Sequence, residues 1–74
     1  MKRKLEIYQK NADGKWNLTN VIEDAAAADR AVASAVISGT KFKTYATARD
    51  DGFYHAADWI VNGGVMYTYL VEID

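Results

Sequence analysis

KFKTYATARDDGFYHAADWIVNGGVMYTYLVEI, residues 41–73, contains three runs of alternating character separated by two clusters of turn residues, Asp50-Asp51-Gly52 and Asn62-Gly63-Gly64. Alternation with a period of two, bounded by Gly, Asn and Asp, is the pattern of strands joined by tight turns. The spacing predicts strands over 41–49, 53–61 and 65–73, joined as an antiparallel meander. The chain has no proline, so nothing confines any of these strands to a sheet edge on that ground.

Upstream of the meander, residues 25–38 read Ala-Ala-Ala-Ala-Asp-Arg-Ala-Val-Ala-Ser-Ala-Val-Ile-Ser. Alanine is the strongest helix former, and Gly39 supplies a stop. Two starts compete. Asn20-Val21-Ile22-Glu23 has capping-box spacing, whereas Asp24 stands directly before the alanine run. Asp24 is preferred, because the β-branched pair Val21-Ile22 suits the end of a strand. Ala25, Ala28, Val32, Ala35 and Val36 recur at helical spacing and predict the buried stripe, with Asp29, Arg30, Ala33 and Ser34 outward. A stripe of small side chains lets the helix approach a sheet closely, so the sheet must supply the bulk of the core.

At the N-terminal end, residues 5–9 alternate as a half-buried strand, with Leu5 and Ile7 on one side and Glu6 and Tyr8 on the other. Asn11-Ala12-Asp13-Gly14 is a hairpin signal, and residues 15–21 form a second strand or an extended lead-in with Trp16 and Leu18 on one face. The fold class predicted is α+β: an antiparallel sheet, made of an N-terminal strand or hairpin and a three-stranded meander, with one Ala-rich helix on one face. At 74 residues there is room for one core, so residues 1–74 read as a single domain.

The totals narrow the function classes. Half the residues are hydrophobic and 12% are aromatic, too many for a disordered segment. There is no cysteine, hence no disulfide framework, Cys-based zinc site or thiol nucleophile, and the usage fits a reducing compartment. Lys2-Arg3-Lys4 is followed by charged residues and not by an apolar h-region, so no secretory signal is predicted, and no apolar run is long enough to span a membrane. A net charge of −1 argues against both a strongly basic nucleic-acid binder and an acidic mimic of DNA.

No residue set for catalysis emerges. His55 is the single histidine, and at strand spacing it and Asp58 point to opposite faces. The two serines, Ser34 and Ser38, lie on the helix outside any nucleophile motif. Glu23, Asp24 and Asp29 are explained by the helix dipole, and Asp50 and Asp51 by turn formation, so neither group predicts a metal site. Gly63-Gly64 lacks the context of a phosphate loop. Lys2, Arg3 and Lys4 read as a solvated tail. The chain is expected to need no cofactor and not to be an enzyme.

A binding role remains. If both meander hairpins close through two-residue turns, Asp51-Gly52 and Asn62-Gly63, counting across the ladders sorts the side chains into two faces. Phe42, Ala46, Ala48, His55, Ala57, Trp59, Val61, Met66 and Leu70 fall together and suit the space under the helix. The other face collects Lys43, Tyr45, Arg49, Tyr54, Asp58, Tyr67 and Tyr69, with Ile60 and Val71 among them. Tyrosine concentrated with Arg and Lys is the composition of an interaction surface. A three-residue loop over 62–64 would instead flip the last strand and carry Tyr67 and Tyr69 into the core.

Asp24-Ala25-Ala26-Ala27-Ala28-Asp29-Arg30-Ala31-Val32-Ala33, then Gly39-Thr40 and the strand ending in Thr47, resembles small phage-encoded anti-CRISPR proteins that act on type I systems. That resemblance is one of architecture over about half the chain. It implies an inhibitor that docks on a protein subunit of a bacterial defence complex, in the host cytoplasm and without a cofactor, by steric or allosteric blocking. It supplies no interface residue. Two other readings stand beside it: a nucleic-acid binder whose tyrosines stack bases while Lys43 and Arg49 hold phosphates, and an oligomeric sponge for a signalling nucleotide. A homo-oligomer is compatible with all three.

Overall fold

The computed structural model describes residues 2–38 and 41–73, and it leaves undescribed the side chains of residues 38 and 41–47. Its elements run β1 (Arg3–Lys10), β2 (Trp16–Ile22), α1 (Ala25–Ser38), β3 (Lys41–Ala48), β4 (Phe53–Val61) and β5 (Val65–Glu72). All strands join one antiparallel sheet in the order β2-β1-β5-β4-β3. The α+β architecture and single helix agree with expectation, and the segment after Gly14 is a true strand hairpinned onto β1. The strand β1 begins at Arg3, so Arg3 and Lys4 belong to the sheet and not to a solvated tail.

Asp24 caps the helix: its Oδ2 accepts the Ala27 N–H at 2.8 Å and its carbonyl accepts the Ala28 N–H at 2.8 Å. That satisfies donors which a helix N-terminus otherwise leaves unpaired. The helix lies mainly over β1, β4 and β5. Ala28 and Ala35 are buried beneath it, as the small-residue stripe predicted. Val36 departs from that stripe. It is 51% exposed, because the buried strip passes through Ala28 and Ala35 and the last turn carries Val36 off the sheet.

Close approach at Ala28 makes a specific expectation. Ala28→Leu adds bulk where there is no exposed surface left to take it, and should destabilise the fold by about 1–3 kcal/mol. Ala33→Leu, on the exposed side of the same helix, should change it by less than about 0.5 kcal/mol. Urea midpoints of the two variants check the contrast.

Faces follow from two anchors. Arg3 on β1 and Tyr69 on β5 both bond Asp29 of the helix, so residues in phase with them face α1. The helix face therefore carries Leu5 and Ile7, their ladder neighbours Tyr69 and Tyr67, and Ala57, Trp59 and Val61 of β4. The far face carries Lys4, Glu6 and Tyr8 with Leu70, Thr68 and Met66 opposite them, then His55, Asp58 and Ile60.

This register corrects the two-residue turns. Val61 pairs with Val65, leaving Asn62, Gly63 and Gly64 as a three-residue loop, and Arg49 N–H meets the Phe53 carbonyl at 2.7 Å across residues 50–52. The loop residues Asn62 and Gly63 have φ of 53° and 69°, and Gly52 has φ of 87°. Asn and Gly tolerate this left-handed geometry best. One added residue reverses the phase of a strand, so Tyr67 and Tyr69 turn inward and Met66 and Leu70 turn to the far face.

Register irregularities add a second correction. Between His55 and Ala57 the β4–β5 ladder skips Ala56, so His55 pairs with Leu70 and Asp58 with Thr68. The two side chains predicted on opposite faces thus share the far one. Another irregularity leaves Thr19 without a ladder partner in β2, and the Val21 N–H is taken by the neighbouring Asn20 Oδ1 at 2.9 Å. Both devices blunt an edge strand that has no charged residue of its own.

Candidate functional site

The seven residues predicted to share one binding face do not share it. Tyr54, Tyr67 and Tyr69 lie on the helix face, whereas Arg49 and Asp58 lie on the far face. Lys43 stands opposite Asp58 in the β3–β4 ladder, and Tyr45 falls where that ladder shifts; their side chains are outside the described residues. The reason is the register already given: a longer loop rotated β5, and the skipped Ala56 rotated Tyr54 relative to Asp58.

The inward tyrosines have structural partners. The Tyr69 hydroxyl donates to Asp29 Oδ1 at 2.9 Å, and its ring meets Trp59 edge-on with centroids 6.1 Å apart. Arg3 grips the same carboxylate with Nε at 3.1 Å and Nη2 at 2.9 Å. The hydrogen bonds from Arg3 and Tyr69 hold the Asp29 carboxyl below its ordinary value, and burial, followed by the bond to Asp29, raises the Tyr69 hydroxyl. Beside this cluster a groove of about 580 Å³ runs between α1 and β4, lined by Val32, Ala33, Ala56, Ala57 and Trp59. It is apolar, and its polar end is already occupied by the Arg3–Asp29–Tyr69 bonds.

On the far face, charge is concentrated at one end and apolar surface at the other. Glu6 is buried at 5% exposure, yet it carries two bonds from Arg49, Nη1 to Oε1 at 2.7 Å and Nη2 to Oε2 at 3.3 Å, and one from the Tyr8 hydroxyl at 2.9 Å. Arg49 Nη2 also reaches Asp51 at 3.0 Å, and Asp51 accepts the Lys4 ammonium at 3.1 Å. Lys4 lies over the Phe53 ring, 4.2 Å from its centroid. Burial pushes the Glu6 carboxyl up, but the Arg49 and Tyr8 hydrogen bonds and the nearby cations outweigh it, so the net shift is downward. Burial, then the bond to Glu6, pushes the Tyr8 hydroxyl up to about 12.

At the other end, the β2-β1-β5-β4 register places Leu18, Tyr8, Met66 and Ile60 side by side in one cross-strand row, with Val21 diagonal to it. Leu18 is 50% exposed, Ile60 37% and Val21 36%, and Tyr8 and Met66 are half-buried. A row of large apolar side chains on a small domain, rimmed by charge, has the anatomy of a contact surface. Tyr8, Leu18, Val21 and Met66 were not among the predicted site residues. The alternation of β1 and β2 puts Tyr8 on the side opposite Leu5, and Leu18 beside Trp16. The missing information was which face the helix covers.

Among the described residues no three His, Cys, Asp or Glu side chains are grouped to hold a metal ion. His55 and Asp58 share a face, and the residues opposite them in the β4–β5 ladder, Leu70 and Thr68, are both buried. No described helix is long and apolar enough to cross a membrane. No protein-family model, curated protein or solved structure matches this chain.

Proposed function

We propose that this chain is a non-enzymatic binding module that docks on a protein partner through the far face of its sheet. The observation that carries the reading is the exposed row Leu18, Tyr8, Met66 and Ile60, an apolar surface that neither the helix nor any described loop covers. The resemblance to inhibitors of type I systems makes a subunit of a bacterial CRISPR surveillance complex the first partner to test, with blocking by occupancy as the mode of action.

The nucleic-acid reading has less support from the geometry. Arg49, Lys4 and Arg3 each hold a carboxylate, which neutralises three of the cations that phosphates would use; the Lys43 side chain lies outside the described residues. Tyr67 and Tyr69 face the helix and present no stacking platform on the face that carries Arg49.

The test is capture of type I surveillance complexes by the immobilised chain and by Leu18→Asp/Ile60→Asp. Both substituted side chains are already exposed, so the variant should fold with nearly unchanged stability. It should lose binding at least a hundredfold, as expected when a carboxylate is driven into an apolar contact. Equal capture by the two proteins would reject this face, and no capture of any complex by the unaltered chain would reject the partner.

A further inference from the structure

The β3–β4 tip, residues 49–52, bonds to β1 although two strands separate β3 from β1 in the sheet. In a flat sheet with strands about 4.8 Å apart, β3 would stand about 14 Å to the side of β1. Arg49 and Glu6 nevertheless meet at 2.7 Å, and Asp51 and Lys4 at 3.1 Å. Arg49 also stands level with Phe53, Glu72 and Lys2, four residues along β1 from Glu6, so in a flat sheet the two backbones would lie about 19 Å apart, farther than the two side chains together reach. The hairpin end therefore curls over the far face, and the register shifts beside Ala56 and between Thr44 and Thr47 are where it bends, since a bulge bends its strand and increases twist.

Phe53 pairs with Glu72, His55 with Leu70, and Asp58 with Thr68, which in turn neighbours Glu6. A side chain reaching from beside Phe53 to Glu6 therefore crosses β5 at Leu70. Leu70 is fully buried although it points away from the helix. The Arg49 arm and the Lys4–Asp51 bridge are positioned to cover it.

We infer that residues 49–52 form a strap latched across the far face by the chain of charges Glu6, Arg49, Asp51 and Lys4, and that unlatching it uncovers Leu70 and Phe53. Its ties to β1 are made by side chains. The described backbone bonds of the tip, Arg49 N–H to Phe53 and Ile73 N–H to Gly52, join it to its own hairpin and to the end of β5. The row Glu6, Thr68 and Asp58 stands between Leu70 and the row of Tyr8 and Met66, so the released strap would open a second apolar patch on the same face. That use rests on the docking reading; the strap itself does not.

The probe is a soluble paramagnetic agent that broadens methyl resonances in proportion to their exposure. Leu5 and Leu70 are both fully buried, on opposite faces of the sheet, and so report separately. In Lys4→Gln/Arg49→Gln the Leu70 methyls should broaden by roughly tenfold more than in the unaltered chain, with Leu5 unchanged, as expected of a local opening. The unaltered chain in 1 M salt, where exposed charges are screened beyond about 3 Å, should show a smaller change of the same kind. Leu70 protected in both experiments, or Leu5 and Leu70 broadening together, would overturn the strap. A protein partner bound equally by the unlatched variant, with Leu70 responding as described, would instead separate the strap from docking.

Discussion

Arg49→Leu is expected to lower stability at neutral pH by about 3 kcal/mol, near the low end for breaking a buried ion pair. The side chain of Glu6 is 6% exposed and that of Arg49 27%, so the loss falls mainly on the carboxylate, which keeps its charge without its strongest partner. Burial, already the largest influence on Glu6, would then be opposed chiefly by the Tyr8 hydrogen bond, and the carboxyl would shift upward. The sign with pH differs between the two proteins. In the unaltered chain the Glu6 carboxyl lies below its ordinary value of 4.5, so its contribution is present above that pH and lost as pH falls through the folded value. In the variant the buried charge is a penalty that protonation relieves. Urea unfolding should therefore give a wide gap at neutral pH that narrows as the solution is taken below about pH 4.

Glu6→Leu/Arg49→Leu should recover more than half of the loss, because it leaves no buried charge unpaired and costs only the acceptor of the half-buried Tyr8 hydroxyl. A single-variant cost under about 0.5 kcal/mol, the value of a surface pair, would contradict the burial of Glu6. At the alkaline end the sign reverses. Tyr8 keeps its proton to about 12, against an ordinary 10.0, so its contribution is intact below pH 10 and is lost as pH rises toward 12. Tyr8→Phe should flatten that alkaline decline.

Much of the architecture was legible because it rests on local signals. The alanine run, the Asp24 cap, the three Gly-containing turns and the alternating runs each report on a few neighbouring residues, and each led to the element observed. The faces were not legible, because they depend on counting through every loop and bulge. One residue in the loop at 62–64 moved Tyr67, Tyr69, Met66 and Leu70 to the opposite sides, and one skipped residue at Ala56 brought His55 and Asp58 together. The consequence of a longer loop for Tyr67 and Tyr69 was foreseeable; the choice between loops was not, since Asn-Gly-Gly accommodates either. Glu6 could not be identified from spacing at all. Its partner Arg49 lies 43 residues away, and only the curl of the hairpin brings them together.

Those two faces lead to the second large effect, at the leucines on either side of the sheet. Leu5→Ala removes a fully buried side chain beneath the helix and should cost about 2–5 kcal/mol, as core truncations do. Leu70→Ala lies where a one-helix fold would ordinarily leave a solvated sheet face, and there a truncation should cost under about 1 kcal/mol. The curled hairpin predicts otherwise: Leu70 is as fully buried as Leu5, so its truncation should cost a comparable 2–5 kcal/mol. Thermal and urea unfolding of the two variants decide between a one-sided and a two-sided core. Domains of this kind have a total stability of about 5–15 kcal/mol, and a chain this short belongs near the bottom of that range, so Leu5→Ala/Leu70→Ala should be largely unfolded at 37 °C. A small cost at Leu70 with a large one at Leu5 would mean that the tip does not cover the far face in solution, and the strap would fall with it.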